Sequence, residues 1–259
     1  MEQETHIRIM SYNIHRWTGQ DRRLDIDRLA DVIRNSGAGL VALNEVLHPV
    51  TIAGRESEPL ASLAEQLGMT WHFGPSVWQD HGPGWSGPIG NALMSRFPLA
   101  DVYNIPLPRL PFSKQRSLLG ATVTAGPAKG LAAFVTHLDH AFEGTRLTQI
   151  RGALSLITHD GPHFISGDFN TPGFYGRRMR RLSPPVLRRM RNAGYEDAFH
   201  AAGHGTGRTY PVNKPLFRVD FLFFPLRWSP GLSAVFVPDS STIRIASDHR
   251  PIVADWHLP

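Results

Sequence analysis

Apolar runs recur along this chain with two periods, and most of them stop at a polar side chain. Residues 27–36 carry Leu29, Ala30 and Ile33, preceded by Ile26, at helical spacing and end before Gly37. Residues 58–67 repeat the pattern with Leu60, Leu63, Ala64 and Leu67 before Gly68, and 145–158 place Leu147, Ile150, Leu154 and Ile157 on one face. Strand-like runs fall at 7–13, 39–44, 90–95, 117–124, 131–136, 163–166, 218–224, 232–237 and 251–256. Many strands with few helices, not strictly alternating, do not fit a simple parallel α/β sheet. They predict two sheets packed face to face with helices outside. Gln79 to Gly87 reads as a loop, and 171–192 as a second long insertion.

Six of the apolar runs deliver a chemically capable side chain where they end or are interrupted. They are Ser11-Tyr12-Asn13-Ile14-His15, Leu43-Asn44-Glu45, Thr136-His137-Leu138-Asp139, Ser166-Gly167-Asp168-Phe169-Asn170, Arg218-Val219-Asp220 and Ser247-Asp248-His249. A polar group at such a place is costly unless it is paired or coordinated. One instance is ordinary turn chemistry; six argue for a single convergent site. Asp168 and Asn170, two apart, share a face in extended chain, where they can hold a water or a phosphoryl oxygen. The donor set is carboxylate, amide and imidazole without thiolate, which suits Mg²⁺ or Mn²⁺ better than zinc.

In this order the six pieces resemble the endonuclease/exonuclease/phosphatase superfamily, which includes DNase I, inositol polyphosphate 5-phosphatases and neutral sphingomyelinases. Gly-Asp-Phe-Asn and Ser-Asp-His are the specific elements; Gly90-Asn91-Ala92-Leu93 is similar to the family's central strand, and Arg146 with Gln149 to its helix after the Thr-His strand. The resemblance implies a four-layer α/β sandwich, two mixed β-sheets face to face with helices outside, formed by residues 1–259 as one catalytic domain. It implies a metal site on Glu45, completed by Asp248 and Asn13. Asp168 is expected to activate water, Asn170 to hold water or phosphoryl oxygen, and His249, oriented by Asp220, to bond the scissile phosphate. His137 is expected opposite as a second phosphate ligand or general acid, with Asn13 reaching both metal water and phosphate. His15, Asn91, Arg116, Arg188 and Arg189 complete the expected substrate contacts. The family usually carries Gln where this chain has Asn44, a change that concerns a supporting contact.

Composition narrows this reading only modestly. Apolar content of 41% and charged content of 19% are ordinary for a globular chain of 259 residues. The absence of cysteine excludes disulfides, thiolate zinc sites and thiol catalysis. No apolar run approaches the ~18 residues of a membrane span, and the polar, acidic start is unlike a secretory signal. A cytoplasmic monomer is the expectation. The net charge of +5 points to an anionic partner, and seven arginines crowd residues 177–191. The leading expectation is therefore a Mg²⁺- or Mn²⁺-dependent phosphodiesterase acting on nucleic acid. A phospholipid or inositol-phosphate hydrolase docking on an anionic membrane is the alternative, and a non-catalytic anion-binding module the remote one.

Overall fold

A computed structural model describes residues 5–52, 54–80, 85–173 and 183–258. Its strands are β1 (Thr5–Asn13), β2 (Leu40–Leu47), β3 (Val50–Ile52), β4 (Arg55–Ser57), β5 (Thr70–Asp80), β6 (Trp85–Ser95), β7 (Leu99–Pro106), β8 (Ser117–Val123), β9 (Ala132–Thr136), β10 (His163–Gly173), β11 (Tyr195–Asp197), β12 (Arg218–Pro225), β13 (Leu232–Phe236) and β14 (Ile252–Leu258). The helices are α1 (Ile26–Ser36), α2 (Pro59–Leu67), α3 (Glu143–Leu156), α4 (Pro185–Asn192), α5 (Ala198–Ala202) and α6 (Ser241–Ala246). The first sheet runs β13-β14-β1-β2-β6-β5, with the β3–β4 hairpin also joining β6; the second runs β11-β12-β10-β9-β8-β7. Each sheet is antiparallel except for one parallel pair, β1 with β2 and β9 with β10, so both are mixed.

Period-two alternation makes the layers. On β1, Ile7 and Ile9 face the other sheet, whereas Met10 and Tyr12 pack under the helices. On β12, Leu222 and Phe224 face the seam, and Phe221 and Phe223 face outward. Three apolar layers result. One lies between the sheets, one joins the first sheet to α1, α2 and α6, and one joins the second sheet to α3 and α4. This is the expected four-layer sandwich. α1 is capped at both ends: Asp25 accepts from Arg28 N at its start, and Gly37 closes it at φ 71°.

Some boundaries differ from the sequence reading. Gln79 and Asp80 end β5 and Trp85 to Gly87 begin β6, so most of the expected loop is the arms of a hairpin; 81–84 lie outside the described residues. Of the second insertion, 185–192 is α4, which packs Val186, Leu187 and Met190 into the outer layer. No helix among the described residues is long and apolar enough to cross a membrane.

One ion pair fastens the end of the second sheet. Arg218 is 4% exposed, reaches both Asp197 oxygens at 2.6 Å, and lies over the rings of Phe221 and Phe199. Asp197 also caps α5 by accepting from Phe199 N. Arg218→Ala strands that carboxylate and empties the stack, so it is expected to cost about 3 kcal/mol. Urea denaturation measures this; a midpoint within error of wild type would show the pair to be ornamental.

Candidate active site

The inner-face alternation that builds the core also builds the site. Inner positions 7, 9 and 11 on β1 lead to Asn13; 40 and 42 on β2 lead to Asn44; 164 and 166 on β10 lead to Asp168. On β12 the inner series 224, 222 ends at Asp220, and on β6 Leu93 is followed inward by Asn91. At one end of the sandwich the apolar seam therefore gives way to amides and carboxylates. All five are at most 2% exposed, so each must be bonded within the protein.

Asn44 ties the sheets together. Its Oδ1 accepts from Asp168 N at 2.8 Å, while its Nδ2 donates to Asn91 Oδ1 at 2.8 Å and to the Thr136 carbonyl at 3.1 Å. Asn91 spends its own amide on the Ser117 and Val135 carbonyls, at 3.2 and 3.4 Å. The expectation that Asn91 binds substrate is thus corrected: it braces Asn44 inside the seam. Gly167, at φ 138°, permits the close approach, because a Cβ there would collide with the Thr136 carbonyl oxygen.

Asp168 stands at the centre. Oδ2 accepts from Asn13 Nδ2 at 3.0 Å, and Oδ1 from Asn170 N at 2.8 Å. Two imidazoles converge on Oδ2, with His137 Nε2 at 3.6 Å and His249 Nε2 at 3.8 Å. Both gaps are too long for a strong hydrogen bond, so each Nε2 is left to meet an oxygen atom lying beside Asp168 Oδ2. Burial, with the Asp220 charge nearby, raises the Asp168 pKa to about 7, against the opposing pull of His249, Asn170 N and Asn13. That places a proton acceptor near neutrality.

The histidines are held in opposite charge states. Burial alone would lower His249, but Asp220, bonded to its Nδ1 at 2.9 Å, with Asp168 and Asp248, outweighs burial and raises its pKa to about 10. His137 goes the other way: burial first, then Arg116, hold its pKa well below the usual imidazole value. Arg116 Nη1 lies 3.0 Å from His137 Nδ1, and Asn170 Nδ2 lies 2.9 Å from Nε2. A neutral imidazole accepts at only one nitrogen, and the charged guanidinium makes the stronger bond. With Nδ1 accepting from the guanidinium, Nε2 bears the proton and faces Asp168. Its contact with Asn170 Nδ2 is then between two donors and is no hydrogen bond, and Asn170 Nδ2 keeps its bond to the Leu138 carbonyl at 3.0 Å.

Glu45 reaches the cleft through a bulge. The β2–β6 register shifts between Leu43 and Val46, and Glu45 sits there at φ 55°. His15, Arg16 and Trp17 form a second left-handed turn, fixed by Trp17, which is fully buried and donates to the Leu47 carbonyl at 2.7 Å. This turn brings Arg16 to 3.4 Å from Glu45. Asp248 lines the same cleft, with Ser247 Oγ 3.4 Å from its Oδ1. Both carboxylates are lightly engaged and open to the cleft, an oxygen donor set that fits a hard divalent cation. Asn13 is 1% exposed and does not line the cleft; its Oδ1 accepts from His15 N at 3.1 Å and its Nδ2 is on Asp168. The expected ligand is instead an orienting group for Asp168. A buried trio, Asp168, Asp220 and His249, also brings ligand atoms within 4.8 Å of one another. Its internal Asp220–His249 bond makes it a proton-handling group in the first instance.

The cleft encloses about 510 Å³ and holds Glu45, Arg116, His137, Asp168, Asn170, Asp248 and His249 in its walls. Asp220 and Asn13 stand behind that wall. His15 does not line it: its Nδ1 lies 3.1 Å from the Thr18 carbonyl. Arg188 and Arg189 are also corrected as cleft contacts, since α4 carries them on the outside of the second sheet; Arg177, Arg178, Arg180 and Arg181 lie outside the described residues. Arg16, Lys114, His140, Tyr210 and Phe217 line the cleft without having been singled out from sequence. Lys114 and His140 had a usable signal, each within three residues of an expected site residue. Tyr210, whose ring lies 4.7 Å from that of His249, had none. Arg146 and Gln149 secure the loop after His137, donating to the Asp139 carbonyl and accepting from Asp139 N.

The family model described as "Endonuclease/Exonuclease/phosphatase family" matches residues 10–249. The uncharacterized protein YbhP of Escherichia coli (strain K12) is 27% identical over 269 residues, covering 99% of this chain and 98% of its own. A solved endonuclease/exonuclease/phosphatase structure from Beutenbergia cavernae superposes with a TM-score of 0.78 at 25% identity, covering 98% of this chain and 72% of that one. The 3' phosphatase NExo from Neisseria, bound to a product DNA hairpin, shares the fold with a TM-score of 0.68 at 18% identity over 97% of this chain and 100% of its own. With the family model spanning nearly every strand and every residue of the central cluster, this chain belongs to the endonuclease/exonuclease/phosphatase family.

Proposed function

We propose that the protein is a divalent-metal-dependent phosphodiesterase in which Asp168 activates the attacking water. The observation that carries this reading is the convergence of two imidazole Nε2 atoms, one neutral and one cationic, on a buried carboxylate of raised pKa. A phosphoryl group set between them meets a donor from each ring, while a water beside Asp168 Oδ2 meets a base. Asp168 takes the proton as the water oxygen attacks phosphorus. His249, kept charged by Asp220, balances negative charge on the phosphoryl oxygens and supplies a proton to the departing alkoxide. His137 donates from Nε2 as a neutral group, which argues against the general-acid role expected for it, since its proton is too tightly held.

Glu45 and Asp248 are the residues that would hold Mg²⁺ or Mn²⁺. When bound, the ion neutralises charge on the phosphoryl group and leaving oxygen. A cleft of about 510 Å³ has room for a substituted phosphate ester, and the diester reading is tested against the monoester. Testing bis-p-nitrophenyl phosphate against p-nitrophenyl phosphate with Mg²⁺ or Mn²⁺ addresses the reading. Turnover of neither ester would refute it.

The pH profile offers a finer check. The Asn13 hydrogen bond favours ionised Asp168 and lowers its pKa. Asn13→Ala removes that donor, so the acidic limb of kcat/KM is expected to move to higher pH, by roughly one unit. A limb that stays in place or moves to lower pH would separate Asn13 from the base.

A further inference from the structure

Exposed large apolar side chains gather at the cleft mouth. Among the described residues nine are exposed, and six of them, Leu110, Phe112, Phe142, Tyr210, Leu216 and Phe217, belong to three loops that border the cleft. The loop before β8 carries Phe112, fully exposed at φ 67°, two residues from the cleft residue Lys114. The loop before α3 carries Phe142, 65% exposed, two residues from the cleft residue His140. The loop before β12 carries Leu216, 61% exposed, beside the cleft residue Phe217. Scattered single apolar residues need no explanation, but a ring of them around a polar cleft does.

Charge says what the ring meets. Two of the three lysines, Lys114 and Lys214, are exposed within two residues of these apolar tips. Arg16 and Arg116, by contrast, are turned inward on Glu45 and His137. Apolar tips flanked by long-stemmed lysines form an interfacial pattern: the rings and leucines enter the acyl boundary while the ammonium groups stay at the anionic headgroups. The aromatic tips can also stack on bases, but the exposed Leu110 and Leu216 have no such use. The described arginines of α4, which a polyanion's backbone would follow, stand away from the cleft, so an apolar boundary with anionic headgroups fits the mouth better than a nucleic-acid polymer.

We propose that the cleft mouth docks on an anionic lipid bilayer and that the phosphoester hydrolysed belongs to a phospholipid headgroup held at that surface. This rests on the phosphodiesterase reading and names its substrate class. With the three tips inserted, a headgroup phosphate enters a cleft whose floor is Asp168, His137 and His249.

The test compares wild type with a Phe112→Ser, Phe142→Ser, Leu216→Ser variant, whose changes are all on exposed side chains outside the catalytic group. Flotation with mixed phosphatidylglycerol–phosphatidylcholine vesicles should show binding by wild type, weaker on phosphatidylcholine alone, and a loss of about tenfold or more in the variant. Turnover of vesicle phospholipid should fall in parallel, while turnover of bis-p-nitrophenyl phosphate stays within about twofold, since that ester needs no docking. Vesicle binding unchanged in the variant, or absent in wild type, overturns the docking surface. Vesicle binding without turnover of any phospholipid, when the small diester is hydrolysed, overturns the headgroup substrate. Loss in the variant of tight single-stranded DNA binding, or of a dimer seen by sedimentation, assigns the ring to those occupants instead. Failure of the phosphodiesterase reading is read separately, as no turnover of the small diester by wild type.

Discussion

Asp168→Asn should lower kcat on a small phosphodiester by ~10³–10⁴-fold while leaving the protein at least as stable at neutral pH. The change keeps the side chain's shape and its acceptor toward Asn170 N but removes the ability to take a proton. It also sets an amide donor against Asn13 Nδ2, a loss that the relief of charge burial is expected to outweigh. Stability follows from the sign of the linkage. The folded protein holds the Asp168 proton more tightly than the unfolded chain does, since burial raises the group from 3.8 to about 7. Asp168 therefore weakens the fold as pH rises from about 4 to 7, and ionised Asp168 is a standing cost above that window. Asparagine has no charge to bury, so its melting curve should lose that part of the pH dependence. Single-turnover kinetics paired with thermal melts between pH 4 and 8 measure both. A variant that keeps more than a tenth of wild-type kcat would remove Asp168 from the role of base, whatever its stability.

Much of this site was legible because a β-strand carries its side chains on two faces. Along 7–13 and 218–224 the alternation fixes which residues share a face, so Asn13 and Asp220 fall in line with core positions. Asp168 and Asn170 were legible from their spacing alone. Asn44 was legible as a residue but not as a clamp, because its partners, Asp168 N, Asn91 and the Thr136 carbonyl, come from three other strands. Asn91 was misread for the same reason: an amide beside a glycine in an apolar strand has no local mark that separates bracing from binding. Glu45 owes its aim to a bulge, and Arg16 to three successive left-handed residues, features that apolar periodicity does not encode. β5 and β7 escaped notice because Gly74-Pro75 interrupts one and the other is half exposed along its length, leaving little alternation to read. The arginine run drew attention by its number and its place just after Asp168-Phe169-Asn170, but α4 needs its apolar positions for packing and so carries Arg188 and Arg189 on the outside.

Chelation should have an effect of similar size. With EDTA, hydrolysis is expected to fall by ~10³-fold or more, the order supplied by a metal ion's several kcal/mol of charge stabilisation. Restoring Mg²⁺ or Mn²⁺ should recover it. The cleft is not short of positive charge, with Arg16, Lys114, Arg116 and His249 all in its wall. The question is whether those cations suffice. Arg116 is committed to His137, Arg16 stands against Glu45 and His249 is bonded to Asp220, so three of the four are already answering protein groups. Glu45 and Asp248, meanwhile, bring negative charge to the place where an anionic substrate must bind, an arrangement that repels substrate unless a cation lies between them. Glu45→Gln separates the two accounts. If Glu45 holds a divalent ion that supplies charge to the phosphate, the variant needs a much higher Mg²⁺ concentration for half-maximal rate and binds Mn²⁺ more weakly by calorimetry. If side-chain cations alone serve the phosphate, the same change relieves repulsion, lowers KM and leaves turnover indifferent to EDTA. Full activity of the wild-type protein after exhaustive chelation would decide for the second account, and Glu45 would then be a partner of Arg16 rather than a ligand.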